Sequence, residues 1–217
     1  IHHGQEPFTL EPGERIALLV VAAYARVEWI PVQQTSDLAI TECVNSLARY
    51  AAVCQRNGLA PIVEPEIVPN GTHDVGVCSA VTEKVLTAQF AALRLHNVYL
   101  EGAVLKPNMV KNGLTGPKAP PEQVAALTVQ TLRRTVPAAM PGIFFLSGET
   151  ALDEDNEEEA TINLNTMNAL YPELPWSLSF SYGKALQKTT IVTWMGETAN
   201  NPAAQNAILA RCKANGD

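Results

Sequence analysis

The residue of this sequence that is best placed to act as a nucleophile is a lysine at the end of an apolar segment. The segment Val98–Leu105 is apolar and β-prone, Lys106 follows it, and Pro107 then breaks the pattern. This order predicts an amine at the C-terminal mouth of a buried strand. Burial disfavours the ammonium form, so such a lysine can become a neutral nucleophile near neutral pH. The alternative is a strand-end lysine that simply reaches water.

Two carboxylates stand at the end of another predicted strand. Glu64 and Glu66 flank Pro65 within the predicted strand Pro61–Ile67. Residues two apart on a strand point to the same face. Two acids on the inner face of a buried strand are costly unless they pair with cations or transfer protons. They are therefore candidates for proton transfer, and a salt-bridged strand end is the alternative.

Residues suited to phosphate binding follow two later strands. Ser147 and Gly148 come directly after one predicted strand. Gly183 and Lys184 come after the last one, at the start of a predicted helix. Backbone N–H groups at the glycines, with the hydroxyl and the amine, would form a phosphate cradle. A serine that only caps the following helix is the alternative.

About five units of strand, loop and helix must position these residues. The predicted strands are Val27–Val32, Pro61–Ile67, the lysine strand, Gly142–Leu146 and Trp176–Ser181. Helices are predicted over 37–55, 77–95, 120–136, 157–168, 183–194 and 202–213. Apolar strands joined by helices imply a parallel sheet. A (β/α)8 barrel and a doubly wound sheet both fit, and barrels commonly bind phosphate after their last two strands.

Composition narrows the class of protein. The 217 residues are 47% hydrophobic and 17% charged, which is typical of a soluble globular domain. The net charge of −7 argues against nucleic-acid binding. The apolar run Ile16–Ala25 is too short to span a bilayer, so no membrane partner is expected.

Cysteines, histidines and an acidic run give no separate site. The four cysteines show no CxxC spacing, which predicts reduced thiols in a cytosolic or organelle-matrix protein. His73 and His96 lack partners at metal-ligand spacing, so no metal site is expected. The acidic run Asp153–Glu159 is predicted to be a solvated loop and helix start.

Several separated segments resemble class I fructose-bisphosphate aldolase. They are Ile62–Ile67, Leu105–Val110, Leu132–Pro137, Phe145–Gly148, Asn163–Asn165 and Phe180–Gly183. The resemblance runs from Asp37 to Trp194, and Leu-Lys-Pro-Asn-Met-Val is highly specific. It implies a (β/α)8 TIM barrel, incomplete here, of which about five C-terminal βα units are present. We expect one partial domain over 1–217, with a poorly matched segment 1–35, a core over 36–195 and a C-terminal helix over 196–217.

The resemblance also implies catalytic roles. Lys106 would attack the substrate ketone and form a Schiff base, whose protonated imine acts as an electron sink. Glu64 would act as general acid and base, and Glu66 would orient this machinery and balance charge. Because the imine does the electronic work, the resemblance implies neither a metal nor another cofactor.

For the substrate phosphates, the resemblance implies binding by Ser147 and Gly148, completed by Gly183 and Lys184. The family usually has arginine at the position of Lys184, and a lysine lacks the planar bidentate fork, so weaker bisphosphate binding is expected. The family's second active-site lysine aligns with Arg26, which could stabilise negative charge.

The implied reaction is reversible aldol cleavage of fructose 1,6-bisphosphate to dihydroxyacetone phosphate and glyceraldehyde 3-phosphate, in glycolysis or gluconeogenesis. A homotetramer in the cytoplasm, or in a plastid, is expected by the same resemblance. One alternative is a non-catalytic binding or assembly subunit that lacks the N-terminal barrel strands. Another is a Schiff-base aldolase of altered substrate choice, given Lys184.

Overall fold

The computed structural model describes residues 36–147 and 157–216, which form a sheet covered by helices. Its strands are β1 (Ile62–Val63), β2 (Val104–Leu105), β3 (Gly142–Phe145) and β4 (Ser177–Phe180). Its α-helices are α1 (Asp37–Arg56), α2 (Val75–Leu95), α3 (Pro121–Thr135), α4 (Glu157–Leu170), α5 (Lys184–Trp194) and α6 (Asn201–Gly216). Short 3-10 turns cover Leu100–Gly102 and Thr198–Asn200. The predicted strand Val27–Val32 lies outside the described residues.

The strands are parallel and lie in chain order, from β1 to β4. Each helix from α1 to α5 packs against the next helix along the chain. Successive right-handed crossovers produce this arrangement when all helices lie on the same face of the sheet. A doubly wound sheet would instead reverse its strand order part-way. The described sheet is therefore a section of a (β/α)8 barrel, and the predicted fold class is confirmed.

The helices begin and end at local sequence signals. Ser36 caps α1, because its hydroxyl accepts a hydrogen bond from the N–H of Ala39 at 3.1 Å. Asn57 is the C-cap of α1, and Gly58 follows with a left-handed φ of +73° that a Cβ would strain. Asp74 caps α2 in the same way as Ser36, at 2.9 Å.

The strands are shorter than the sequence pattern predicted. β1 pairs over two residues and does not extend across the predicted Pro61–Ile67. One cause is Pro65, which has no N–H to donate to the ladder. The predicted lysine strand is also too long at its start, because Leu100–Gly102 turn as a 3-10 helix before β2 begins.

The apolar core lies between the sheet and the helices. Its sheet side consists of side chains with no solvent exposure, namely Val63, Leu105, Ile143 and Phe145. Residues of α1 to α5 complete the same cluster, among them Val44, Leu86, Leu132, Met167 and Ala185. A smaller cluster of Val75, Cys78 and Val110 lies under the chain that follows β2. These contacts fix the C-terminal ends of the strands.

Candidate active site

The candidate site lies along the C-terminal edge of the sheet. Glu64 directly follows β1, and Lys106 directly follows β2. Ser147 lies just beyond β3, and Gly183 just beyond β4. Because the strands are parallel, their carboxyl ends meet at one edge. The sheet therefore gathers residues that are far apart in the sequence.

Main-chain hydrogen bonds continue past the strands and hold this edge. The N–H of Lys106 donates to the carbonyl of Val63 at 2.7 Å. The N–H of Leu146 donates to the carbonyl of Pro107 at 3.3 Å. Each bond fixes a residue that is in the site or next to a site residue. The backbone below the candidate site is thus restrained on neighbouring strands.

The closest polar contact joins Lys106 and Glu64. Nζ of Lys106 lies 2.8 Å from Oε1 of Glu64, and both side chains are only 20% exposed. At this distance the carboxylate can accept a proton from the amine or return one to a group on the nitrogen. The lysine is therefore held by a carboxylate and largely shielded from solvent.

The second carboxylate keeps the predicted relation to the first. Glu64 and Glu66 are half-buried, whereas Pro65 between them is buried. This alternation is typical of an extended chain, even though the strand itself has ended. Glu66 and Ser147 line the same cleft. Lys106 is not among the residues that line this cleft.

The remaining predicted phosphate ligands lie at a helix start or outside the described residues. Gly183 occupies the N-cap position of α5, and Lys184 is the first residue of that helix. Both are exposed, so their N–H groups and the amine can meet a phosphate from solvent. Gly148 and Arg26 lie outside the described residues, and their placement stays a prediction.

Asn108 is a site neighbour that the sequence reasoning named only within a motif. Its side chain is 7% exposed. Its Oδ1 accepts a hydrogen bond from the N–H of Ile67 at 3.1 Å, and its Nδ2 donates to the carbonyl of Met109 at 3.1 Å. The available signal was a polar amide within an otherwise apolar strand end, because such a group must find partners when buried.

An ion pair that the sequence did not predict joins the chain after β2 to α4. Lys111 contacts the carboxylate of Glu159, and the two side chains are 27% and 29% exposed. The predicted helix start is confirmed, because α4 begins at Glu157, whereas residues 153–156 of the acidic run lie outside the described residues. The carboxylate of Glu159 is paired and only partly exposed, which the prediction of a solvated run did not include. Lys111 also lines the cleft that contains Glu66 and Ser147.

The cleft is lined in part by a buried thiol, Cys78. Burial raises the pKa of Cys78, and a hydrogen bond with the backbone of Lys111 partly offsets this effect. A protonated thiol is a poor nucleophile. Cys43, Cys54 and Cys212 are likewise free cysteines.

Residues 36–147 and 157–216 contain neither a metal-ligand cluster nor a membrane-spanning helix. In these ranges, no group of three or more His, Cys, Asp or Glu side chains could hold a metal ion. The same part of the chain contains no helix that is long and apolar enough to cross a membrane.

Comparison with known proteins tests the predicted family. The family model of glycolytic fructose-bisphosphate aldolase class-I matches residues 21–217. The chain belongs to the class I fructose-bisphosphate aldolase family. The resemblance that the motifs indicated is thereby confirmed, and the motif around Lys106 lies within the matched region.

Individual aldolases agree with this result. Fructose-bisphosphate aldolase 6, cytosolic, from Arabidopsis thaliana is 54% identical over 196 residues, which are 90% of this chain and 53% of that protein. Fructose-bisphosphate aldolase B from Homo sapiens is 55% identical over 84% of this chain and 49% of its own. The chain thus spans about half the length of these relatives.

A solved aldolase structure matches the fold as well as the sequence. It is a co-crystal structure of fructose-bisphosphate aldolase from Plasmodium falciparum, with a TM-score of 0.78 and 51% sequence identity. The match covers 83% of this chain and 50% of the solved one. At this identity the likeness extends to the aldolase family, beyond the barrel fold alone.

Proposed function

We propose that this chain catalyses the reversible aldol cleavage of fructose 1,6-bisphosphate to dihydroxyacetone phosphate and glyceraldehyde 3-phosphate. The observation that carries this proposal is the amine of Lys106, 2.8 Å from the carboxylate of Glu64, at the C-terminal edge of a parallel sheet. Membership of the class I family supports the substrate and the Schiff-base route.

The reaction uses the amine as a temporary electron sink. Nζ of Lys106 adds to the C2 ketone, and Glu64 moves the protons as the carbinolamine loses water to form a protonated imine. The C3–C4 bond then breaks, its electron pair moves toward the imine, and the C4 hydroxyl gives up its proton to the Glu64 carboxylate. This step releases glyceraldehyde 3-phosphate and leaves an enamine. Protonation at C3 and addition of water release dihydroxyacetone phosphate and regenerate Lys106.

The other residues bind and orient the substrate in this proposal. Glu66, which lines the cleft, orients the acid–base groups and balances nearby charge. Ser147 and Gly148 hold one phosphate, and the start of α5, with Gly183 and Lys184, completes the phosphate site. Arg26 is a possible charge partner.

The cellular location, the partner and the assembly are also part of the proposal. We propose a cytoplasmic enzyme, supported by plant relatives that are named cytosolic or cytoplasmic. A plastid location remains the alternative. The proposed partner is a phosphorylated sugar, with no role for nucleic acid or membrane, and we propose a homotetramer as the assembly.

Borohydride trapping of the intact chain with dihydroxyacetone phosphate tests the proposal. We expect a stable adduct on Lys106, located by peptide mass spectrometry, and no adduct in Lys106→Met. Lys213→Met, at an exposed position on α6, is the matched control and should still be trapped at Lys106. A folded chain without any adduct at Lys106 would reject the enzymatic proposal and favour the binding or assembly subunit. Cleavage of fructose 1,6-bisphosphate, measured separately, tests the complete reaction.

A further inference from the structure

A proline interrupts the ladder between β1 and β2 at the point where the site begins. Pro65 separates the two carboxylates and has no N–H, so it cannot donate the hydrogen bond that would extend the ladder toward the segment after β2. The N–H of Lys106 still donates to the carbonyl of Val63. Beyond that bond, a side-chain contact joins the two segments.

The side chain of Asn108 supplies that contact. Its Oδ1 accepts the hydrogen bond of Ile67 N–H at 3.1 Å, directly after Glu66. Val63 pairs with Leu105, and the same register continued by four residues places Ile67 opposite Met109. A side-chain oxygen thus takes the place that a main-chain carbonyl would occupy in a regular parallel ladder.

Only an amide satisfies all partners of this buried side chain. An N–H of Ile67 requires an acceptor, whereas the carbonyl of Met109 requires a donor. Nδ2 also lies 3.4 Å from Oγ1 of Thr82, which is 2% exposed on α2. A carboxylate would lack the donor, and an alkyl group would lack both functions. The bridge is therefore anchored to the helix layer as well as to both segments.

We infer that Asn108 is a positioning residue that sets the two glutamates at their working distance from Lys106. The inference rests on the proposed function. Without the bridge, the segment that contains Glu64 and Glu66 can shift relative to the lysine. A displacement of about 1 Å can cost about 100-fold in rate when reacting groups must be aligned.

The test compares Asn108→Leu with Thr128→Val. Thr128 is 1% exposed, and its hydroxyl accepts a buried hydrogen bond from the N–H of Val110 at 3.0 Å. It therefore holds the segment after β2 from the α3 side, and this hydrogen bond does not involve the segment after β1. Borohydride trapping of each folded variant gives two values. They are the first-order rate constant at saturating dihydroxyacetone phosphate and the concentration at half-saturation. We expect Asn108→Leu to lower the rate constant by at least about tenfold with little change in half-saturation. Thr128→Val should change neither value by more than about threefold.

A second variant covers the case in which Asn108→Leu does not fold. Thr82→Val removes the Oγ1 partner of Nδ2, together with the 3.9 Å contact of that oxygen with Sγ of Cys78, and it should slow the first-order step more than Thr128→Val does. Equal rate constants for the two threonine variants overturn the inference in that case. If Asn108→Leu folds, the inference is overturned when its rate constant equals that of Thr128→Val or that of the unsubstituted chain. Absence of trapping in the unsubstituted chain would instead overturn the proposed function.

Discussion

Lys106 can act as a nucleophile only if a base takes its proton and water is kept away. Glu64 lies 2.8 Å from the amine, and the low exposure of both side chains limits access of water. Lys184 stands in a different environment, because it is exposed at the start of α5. It can contribute charge to a phosphate site, but it meets the ligand in competition with solvent.

Glu64→Gln tests the acid–base role, because glutamine keeps the side-chain size but cannot take a proton. We expect the rate constant for trapping with dihydroxyacetone phosphate to fall by about 100-fold, the lower end of what general acid–base catalysis contributes. Glu83→Gln is the matched control, since Glu83 pairs with Arg134 at 3.0 Å on the helix surface. The control should react like the unsubstituted chain. Equal rates for both variants would remove Glu64 from the chemistry.

Lys184→Arg tests the departure from the family's arginine. A guanidinium can donate two parallel hydrogen bonds to phosphate, and a typical additional bond contributes about 0.5–1.5 kcal/mol. We expect roughly threefold to tenfold tighter binding of a reduced sugar bisphosphate that cannot form an imine. Isothermal titration calorimetry gives the dissociation constants. Lys188→Arg, one turn further along α5, should leave the affinity unchanged, and equal affinities for both variants would contradict the role of Lys184.

Among the elements, α1 and α2 show how surface charge can supplement packing. Lys84 of α2 lies 2.5 Å from the carboxylate of Asp37, the first residue of α1. The hydrogen bond and the positive charge of Lys84 lower the pKa of Asp37 below its ordinary value of 3.8. Beneath this exposed pair, the apolar residues Ile40 and Val44 of α1 lie in the core.

Lys84→Gln should change the pH dependence of stability. Because the pKa of Asp37 is lower in the folded state, the pair stabilises the fold above the unfolded-state pKa, and this stabilisation is lost as pH falls through the folded-state pKa. We expect the unsubstituted chain to lose more unfolding free energy than Lys84→Gln between about pH 5 and about pH 2. Urea unfolding at several pH values measures the difference. Lys213→Gln is the control, because it removes the same charge from α6. It should lose as much unfolding free energy with falling pH as the unsubstituted chain does. A smaller loss in this control too would mean that net charge, and not the pair with Asp37, is the cause.

The elements also differ in how well their sequences predicted them. The helix predicted over 37–55 matches α1 to within one residue at each end, because periodicity and caps act within a few residues. The strand predictions were too long, because pairing depends on a partner segment and on which residues can donate. Pro65 limits β1 at its C-terminal end, and the turn at Leu100–Gly102 delays the start of β2.

For the molecule as a whole, a shared core links the strands that bear the site. Leu105 has no exposure, and it immediately precedes Lys106. It belongs to the same cluster as Val63, Ile143 and helix residues from α1 to α5. The position of Lys106 is therefore tied to the stability of the whole described core.

Leu105→Ala should destabilise the fold by about 3 kcal/mol, because it removes buried methyl groups and leaves a cavity. Denaturant unfolding gives the free energy. Leu95→Ala makes the same chemical change at a residue that is 80% exposed, and it should change stability by no more than about 0.5 kcal/mol. Similar losses in both variants would mean that Leu105 is not part of the cooperative core.

The sequence by itself determined the helices, the parallel α/β class, the family and the residues able to do chemistry. These features depend on residue type and on spacing over a few positions, so they can be deduced from the chain alone. Only the tertiary structure decided that Glu64 lies within 2.8 Å of Lys106, that Asn108 bridges to Ile67, and that Lys111 pairs with Glu159. Such contacts join residues that are distant in sequence. They depend on strand register and helix packing, which only the folded chain establishes.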